Sequence, residues 1–572
     1  MLRTLVAARG RSRRGSAAQA KPPAPPSRIN SLRRGWGRHS CRDFYHGLLG
    51  VLVFTASISW GQNAVTIVPG SNGLSSLQYG GSEFLGNGDF RVNGILLQHN
   101  DLPPYYAPST GTVDMDQKRL VLNLRYNWGT VAVSYAITGA RLQMTIVTTN
   151  NSSDTIVGVF YEPLGLRFPT AVKEYDGTDP LLADNLNAPG IVGMSYATGT
   201  LALVNEDVER PLEIGFPWAW DKPANTFFPL RINTNHDQMY PSFSPTINRP
   251  IPPGSSDTYQ ISLRFGPAGT SAADLAADVS ASYAALYAPT VHWTDRRPVG
   301  VLVLATSDAG FRTNPRGWFL DPTVDVTTTA GIAAFQARVL RYADTSIAYL
   351  KAMNAQGMIT WDIEGEQYAQ PTSYACDPRQ LANLAPEMNG VVDLYFRKFR
   401  DAGLRVGVCV RPQDLVIGPG GTAAQQDVST PSSILIAKIK YAKDRWGATL
   451  FYVDSNGGPN DPMDPDVFRK VAAAFPDILL VPEHSSPKYW AYTAPGVGLR
   501  DGVAGTPDSA RKLYPNAFSM LYTLDGPIAS RFADLVQSVA RGDVIMFKAW
   551  FDDEPANKLL QEIQQQATSP VK

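Results

Sequence analysis

The sequence predicts an N-terminal all-β sandwich followed by an α/β (β/α)8 barrel of the TIM type. Three observations carry this prediction. From about residue 63 to 267, short runs alternate apolar and polar residues, with Gly, Asn, Asp and Pro between them. After residue 299, near-continuous apolar runs alternate with helical segments, as in a parallel sheet covered on both faces. The chain has 572 residues, more than one ordinary domain holds, and its 44% hydrophobic content is typical of globular proteins.

Residues 1–61 form a basic leader that resembles a secretory signal. The segment holds eleven Lys and Arg residues and one acidic residue, and it ends in the apolar stretch "FYHGLLGVLVFTASISWGQ". A positive flank, a short apolar core and small residues predict cleavage before Gln62 and export to the periplasm or the extracellular space. The apolar run is shorter than the ~20 residues of a membrane span, so we expect none after signal removal. An uncleaved anchor and a downstream start codon are the alternatives.

Charge and cysteine usage exclude several classes of protein. Without the leader, 40 basic and 50 acidic residues remain, a net charge of −10, so we expect no nucleic-acid partner. Beyond the leader only Cys376 and Cys409 remain, which argues against a disulfide scaffold. Cys409 lies in the middle of a predicted strand and is expected to be a small buried side chain. The six histidines are scattered and form no HExxH motif, so we expect no metal and no cofactor.

The predicted sandwich covers residues 62–268. Its strand candidates alternate apolar and polar residues in runs such as "RLVLNLRYNW", "TVAVSYAI", "RLQMTIVTTN" and "TYQISLRFG". No long helical pattern interrupts about 200 residues of this kind, which favours a large sandwich. Residues 269–298 form a linker, in which the small residues of 271–288 predict a connecting helix.

The predicted barrel covers residues 299–572. Seven clear strand candidates and a weaker one give eight βα units in about 270 residues, the count of a (β/α)8 barrel. The candidates lie at 300–307, 357–365, 405–413, 449–457, 478–485, 499–506 (the weaker one), 517–526 and 543–553. A doubly wound open sheet is the alternative, although no Gly-rich phosphate loop opens a helix.

Charged residues follow most of these strands. Asp454 and Glu483 end two successive apolar runs, "TLFYV" and "ILLV", and their spacing is about one βα unit. Both carboxylates are therefore expected at the C-terminal rim, where barrel enzymes have their active sites. The substrate-binding candidates at this rim are Asp308, Trp361, Asp362, Glu364, Arg411, Tyr452, Asn456, Asp525, Lys548 and Trp550. Further aromatic residues, Trp318, Tyr368 and Trp490, are expected to interleave with them at this rim.

Aromatic rings and carboxylates together suit a carbohydrate, because rings stack on apolar sugar faces and acids bind hydroxyls. Two facing carboxylates also suit glycoside hydrolysis, in which one attacks or activates water and the other protonates the leaving oxygen. Asp362 and Glu364 are an alternative pair to Asp454 and Glu483. If the latter two acids are not catalytic, Asp454 begins a turn and Glu483 caps a loop.

An Asp after strand 4 and a Glu after strand 5 resemble the retaining barrels of the α-amylase and endo-α-N-acetylgalactosaminidase type, the latter with a β-sandwich. This resemblance covers about 299–553 and implies that Asp454 is the nucleophile and Glu483 the general acid/base, with Asp525 as a third acid. The sequence departs from the amylases, since Tyr452 stands where an Arg is expected. The blocks "NPRGWF", "WDIEGEQY" and "VGVCVRPQ" resemble uncharacterised exported bacterial proteins.

These observations predict an exported retaining glycoside hydrolase that acts on an oligo- or polysaccharide. A non-catalytic carbohydrate-binding or surface protein on the same scaffold is the alternative. A lyase or another sugar-modifying enzyme is a third possibility and would use Tyr452 or Lys548 as a base. The sugar, the linkage and the oligomeric state do not follow from the sequence.

Overall fold

The computed structural model describes residues 63–108, 110–174, 181–216, 227–234, 247, 249–305, 311–367, 374–419, 423–458, 462–498, 505–524, 528–549 and 554–568. The basic leader, with its predicted signal, lies outside these residues. Within the described ranges, no helix is both long and apolar enough to cross a membrane. Residues Gln62–Lys572 form one compact unit.

The N-terminal part contains twenty strands within the described ranges. They are β1 (Val65–Pro69), β2 (Leu74–Tyr79), β3 (Ser82–Glu83), β4 (Leu85–Asn87), β5 (Arg91–Gln98), β6 (Tyr105–Tyr106), β7 (Gly111–Asp116), β8 (Val121–Tyr126), β9 (Gly129–Thr138), β10 (Arg141–Asn150), β11 (Thr155–Glu162), β12 (Gly165–Leu166), β13 (Lys173–Glu174), β14 (Leu181–Ala183), β15 (Ile191–Tyr196), β16 (Gly199–Asn205), β17 (Glu213–Phe216), β18 (Phe228–Pro229), β19 (Arg231–Asn233) and β20 (Ser256–Pro267).

Two antiparallel sheets make up most of this part. One has eight strands in the order β13-β15-β16-β20-β10-β9-β8-β7, and the other has six in the order β14-β17-β19-β11-β5-β6. Alternation along β10 buries every second side chain, including Leu142, Met144 and Ile146. These residues share one core with Ile95 and Val159 of the other sheet. The predicted sandwich is therefore confirmed.

Two short helices, α1 (Ala272–Leu275) and α2 (Ala277–Leu286), follow the last strand of the sandwich, where one connecting helix was predicted. The buried side chain of Arg264 on β20 holds them. Its guanidinium donates to the carbonyl oxygen of Leu275 at 2.8 Å and to both carboxylate oxygens of Asp278. It also donates to both oxygens of Glu206, at 2.9 and 3.1 Å. One cation thus joins the sandwich to the connector.

The C-terminal part alternates strands and helices, as predicted. Its elements are β21 (Val299–Leu302), α3 (Thr329–Ala352), β22 (Gly357–Thr360), α4 (Leu381–Leu384), α5 (Pro386–Asn389), α6 (Val392–Asp401), β23 (Arg405–Val410), β24 (Asp414–Ile417), β25 (Ala423–Gln426), α7 (Pro431–Trp446), β26 (Leu450–Val453), α8 (Asp466–Ala474), β27 (Leu479–Pro482), β28 (Gly496–Gly498), α9 (Asp508–Leu513), β29 (Met520–Tyr522), α10 (Phe532–Ala540), β30 (Val544–Lys548) and α11 (Glu554–Thr568).

Eight parallel strands form a nearly closed barrel in the order β27-β26-β23-β22-β21-β30-β29-β28. The last strand pairs with the first, with Val299 opposite Met546, so the open-sheet alternative is wrong. Between β27 and β28 the described residues contribute one backbone bond, from Ala494 N to Leu480 O at 2.9 Å. The sixth strand begins before the predicted 499–506, because residues from Gly496 onward pair with β29. Residues 499–504 lie outside the described ranges.

Side-chain alternation divides the barrel into two cores. On β26, Leu450 and Tyr452 belong to the interior core, whereas Phe451 and Val453 pack against the helices. The same parity places Cys409, Val481 and Met546 inside the barrel. A residue two positions beyond an interior residue continues the interior face. The alternation therefore indicates which residues after each strand face the mouth of the barrel.

Replacing Arg264 with Ala is expected to lower the free energy of unfolding by about 2 kcal/mol, because the buried carboxylate of Glu206 loses a charged donor and keeps Arg141, at 2.8 Å, as its remaining cation. The Arg264 side chain is 7% exposed. Arg210→Ala is the matched control, since Arg210 also pairs with two acids but is 51% exposed, and it is expected to cost about 0–1 kcal/mol. Urea unfolding of both variants measures the difference. Equal losses would contradict the account.

Candidate active site

Four charged side chains occupy interior-facing positions at the C-terminal ends of the strands. Arg411 is two residues beyond Cys409, Asp454 two beyond Tyr452, Glu483 two beyond Val481, and Lys548 two beyond Met546. Strands β26 and β27 pair with Val453 opposite Pro482, so Asp454 and Glu483 are the next residues of neighbouring strands. The backbone N–H of Glu483 continues the ladder by donating to Val453 O at 3.0 Å. The predicted juxtaposition of the two acids at one rim follows from this register.

Arg411 binds Asp454 from the neighbouring strand. Its Nε donates to Asp454 Oδ2 at 2.7 Å, and Nη2 donates to the same oxygen. Both residues are largely buried, with side-chain exposures of 13% and 9%. Burial opposes the charge on Arg411, but the adjacent carboxylate prevails and raises the pKa of the guanidinium. Arg411, the residue after β23, thus favours the ionised form of Asp454.

Glu483 is held by the turn that follows Asp454. The backbone N–H of Ser455 donates to Glu483 Oε2 at 3.0 Å, and His484 Nε2 lies 3.8 Å from the same oxygen. Ser455 has a φ of +57°, a left-handed conformation that non-glycine residues seldom adopt. Strain of this kind persists where surrounding contacts enforce it. The Glu483 side chain is 18% exposed, so it reaches the solvent side of the rim.

Asn456 joins the turns after β26 and β27. Its amide Nδ2 donates to His484 O at 2.9 Å, and its Oδ1 accepts the N–H of His484 at 3.0 Å. The side chain is fully buried. Both ends of the amide are thus used within the protein, and Asn456 fixes the relative position of the two acids. Its predicted contact with substrate stays untested.

Aromatic rings lie beneath the charged rim. The rings of Trp361 and Tyr452 are 4.1 Å apart, and Tyr522 contacts Tyr452 edge-on at 5.8 Å. Burial raises the pKa of Tyr452 well above its usual range, which disfavours a role as a base. The expectation of rim aromatics is wrong for Trp318 and Trp490. Both indoles are buried in the core between strands and helices, because Trp318 packs against Phe335 of α3 and Trp490 donates to Ser519 Oγ at 3.1 Å.

The two acids after β22 are buried. Asp362 accepts the backbone N–H groups of Leu304 and Ala305 at 2.9 and 2.6 Å, which extends the barrel beyond β21. Burial raises the pKa of Asp362 to about 7. Both carboxyl oxygens of Glu364 are buried without a hydrogen-bond partner, and burial raises the pKa of Glu364 to about 8. Asp362 has a structural role here, and the alternative catalytic pair receives less support than Asp454 with Glu483.

A buried lysine supports Arg411 from behind. Lys438 on α7 is fully buried, and its ammonium donates to the carbonyl oxygens of Arg411 and Gln413 at 3.0 and 2.8 Å. Asp377 Oδ2 lies 3.5 Å away. Burial lowers the pKa of Lys438, while Asp377 opposes that shift. Sequence reasoning missed this residue, because a lysine within a helix carries no motif.

The sandwich also reaches this end of the barrel. Asn187 O accepts the backbone N–H of Lys488 at 2.7 Å, and Ser486 Oγ donates to Asn187 Oδ1 at 3.3 Å. Ser486 is three residues after Glu483. The segment after β27 therefore rests on the N-terminal domain, which the sequence did not indicate.

Three predicted site residues, Asp308, Asp525 and Trp550, lie outside the described residues, and Lys548 ends β30 at the mouth. Asp501 was overlooked, because the predicted sixth strand included it. In the sequence, Asp501 is three residues beyond Gly498, the last described residue of β28. It also lies outside the described residues.

Among the described residues, one group could hold a metal by proximity: Cys376, Cys409 and Asp454.

No protein-family model matches the chain, and no curated protein matches it. Solved structures of similar arrangement include the α-galactosidase from Lactobacillus brevis, with 10% identity, 89% of this chain and 73% of that chain covered, and a TM-score of 0.41. The α-N-acetylgalactosaminidase NagBb from Bifidobacterium bifidum, in complex with GalNAc, has 11% identity over 86% of this chain and 89% of that chain, with a TM-score of 0.40. These values are too low to transfer a function.

The raised pKa of Glu364 predicts a pH-dependent stability. The pKa of this carboxyl in the unfolded chain is about 4.5. At a pH below that value the group is protonated in both the folded and the unfolded state, so it does not change the free energy of unfolding. Between about pH 4.5 and 8 it ionises only in the unfolded chain, so stability falls by up to about 1.4 kcal/mol per pH unit. Glu364→Gln should remove this part of the slope.

Urea unfolding between pH 5 and 9 measures that slope. The control is Glu209→Gln, whose exposed side chain is in water in both states and should leave the slope unchanged. A Glu364→Gln variant with the wild-type slope would show that Glu364 is ionised in the folded protein.

Proposed function

We propose that the chain is an exported glycoside hydrolase of the retaining kind, with Asp454 as the nucleophile and Glu483 as the general acid/base. The observation that carries the proposal is the pairing of β26 with β27, which makes these two acids neighbours on the interior face of the rim. Export follows from the leader of residues 1–61. The substrate class is an oligo- or polysaccharide, which suits carboxylates above an aromatic layer.

The register also favours the retaining mechanism. Retaining enzymes hold their carboxyl groups about 5–5.5 Å apart, and inverting enzymes about 6.5–9.5 Å apart. Adjacent strands are about 4.8 Å apart, so neighbouring residues of β26 and β27 reach the shorter separation without a change in the backbone. An inverting enzyme would need room for a water molecule between acids that the register brings together.

In the proposed reaction Glu483 donates a proton to the leaving oxygen while Asp454 attacks the anomeric carbon. Water then attacks the glycosyl ester, with Glu483 now accepting its proton. Arg411 keeps Asp454 charged before the attack. Both donors of Arg411 bind Oδ2, so attack through Oδ1 leaves this contact in place. Asn456 and Ser455 hold Glu483 across from Asp454.

A non-catalytic carbohydrate-binding protein is the second candidate, and one observation favours it. The Ser455 N–H donates to Glu483 Oε2, and a hydrogen bond of this kind stabilises the ionised carboxylate. A general acid must instead hold a proton when the substrate is bound. Turnover of an aryl glycoside distinguishes the two candidates, because a binding protein shows none.

Asp454→Asn is expected to abolish hydrolysis of aryl glycosides, with kcat reduced at least ~1,000-fold and binding of the sugar retained, because the amide is not a nucleophile. Asp477→Asn is the matched control: Asp477 is exposed and precedes β27 at the opposite end of the barrel. A panel of α- and β-glycosides also identifies the substrate. Unchanged hydrolysis by Asp454→Asn would refute its assignment.

Glu483→Gln is expected to slow substrates with poor leaving groups far more than activated aryl glycosides, because only the former need the proton. The measurement is kcat/KM against the pKa of the leaving group, for the wild type, Glu483→Gln and Asp501→Asn. A steeper dependence for Glu483→Gln supports the proposal. A steeper dependence for Asp501→Asn alone would transfer the acid role to Asp501.

A further inference from the structure

Two buried thiols lie next to each other beneath the rim. The Sγ atoms of Cys376 and Cys409 are 2.7 Å apart, and both side chains are free thiols. Cys409 lies on the interior face of β23, and Cys376 lies in the segment between β22 and α4. Their exposures are 0% and 2%. Hydrophobic packing accounts for the burial of Cys409, as the sequence predicted, but it does not require a second sulfur in contact with Cys409.

A metal site explains the pair less well than a covalent bond. Two thiolates on one tetrahedral zinc ion, each about 2.3 Å from it, lie about 3.8 Å apart, which exceeds the observed separation. The third neighbour, Asp454, already binds the cation Arg411. A second cation beside the guanidinium would be repelled. A disulfide requires the two sulfurs to approach to about 2.05 Å, a movement of less than 1 Å.

We propose that Cys376 and Cys409 are a site of disulfide formation that crosslinks the segment after β22 to β23. Two S–H bonds and the S–S bond of an oxidant break, one S–S bond forms between the cysteines, and the two protons pass to the sulfurs of the oxidant. A disulfide-bearing oxidant, either a thiol–disulfide oxidoreductase or a small disulfide, accepts the two electrons and is reduced to two thiols. An oxidising compartment, which the proposed export provides, supplies oxidants of this class.

The order of events follows from burial. A thiolate is the attacking species in thiol–disulfide exchange, and burial raises the pKa of both thiols in the folded chain. The folded pair is thus both protonated and inaccessible. The bond is therefore expected to form while the barrel is still folding and to resist reductants once the barrel has closed.

The crosslink would lie directly under Arg411. Cys409 precedes Arg411 by two residues on the same face of β23, and Cys376 O accepts the N–H of Arg411 at 3.2 Å. The bond would fix the strand end that carries this arginine to the segment that accepts its N–H. Its relevance to catalysis rests on the proposed function of Asp454, but its existence does not.

The test is a thiol count on the full chain, which contains three cysteines. The Cys41→Ser variant removes the leader thiol and leaves only the pair. This variant is refolded from urea with a mixture of oxidised and reduced glutathione, then unfolded again and alkylated. We expect no alkylated cysteine, a mass 2 Da below that of the reduced chain, and one peptide pair joined through Cys376 and Cys409. The reduced chain should incorporate two alkyl groups.

The crosslinked form should also melt several degrees above the reduced form, because the bond constrains the unfolded chain. Cys409→Ala in the same background should bind one alkyl group and lose this difference. Two alkylated thiols after oxidative refolding to a native protein would overturn the proposal. So would stoichiometric zinc in the wild type that is lost in Cys409→Ala. Neither result depends on hydrolytic activity, so a failed crosslink and a failed hydrolase assignment are distinguishable.

Discussion

The ion pair between Arg411 and Asp454 determines the arrangement of the rim. It joins β23 to β26 across the strand ladder, with both donors on one carboxylate oxygen. A buried charge pair of this kind is costly unless its geometry is supported. The support comes from Lys438, which holds the backbone of Arg411, and from Asp377 beside that lysine. The acid at the end of β26 is thus oriented by residues of α7 and β23.

The barrel interior beneath this pair contains few polar groups in its described residues. Trp361 and Tyr452 fill it below the charged layer, and an apolar floor strengthens the electrostatic interactions above it. The same low polarity acts on the acids beside it. Asp362 obtains two backbone donors in return for its burial, whereas Glu364 obtains none. The rim therefore contains one buried carboxyl with hydrogen-bond donors, Asp362, and one without, Glu364. Glu364 lowers the stability of the fold at a pH above the pKa that it has in the unfolded chain.

Contacts between domains also bear on the rim. Asn187 of the sandwich binds the segment that follows Glu483, and Arg264 fastens the connector to the last strand of the sandwich. The position of Glu483 is thus set from two sides, by the turn after Asp454 and by the N-terminal domain. This arrangement gives the sandwich a structural part in the site in addition to any part in binding.

The sequence by itself determined the two-domain architecture and the strand ends that carry Asp454 and Glu483. Alternating apolar and polar residues indicate sandwich strands with one buried face, and continuous apolar runs indicate barrel strands that are buried on both faces. These elements could therefore be predicted from the sequence. The start of the sixth strand was predicted three residues too late, because the described residues Gly496–Gly498 carry a single apolar side chain, Val497. Only the tertiary structure decided the partners: Arg411 on Asp454, Lys438 behind Arg411, Asn456 between two turns, and Cys376 against Cys409. These contacts join residues that are distant in the chain, and their formation depends on barrel closure and strand register, which local sequence patterns do not encode.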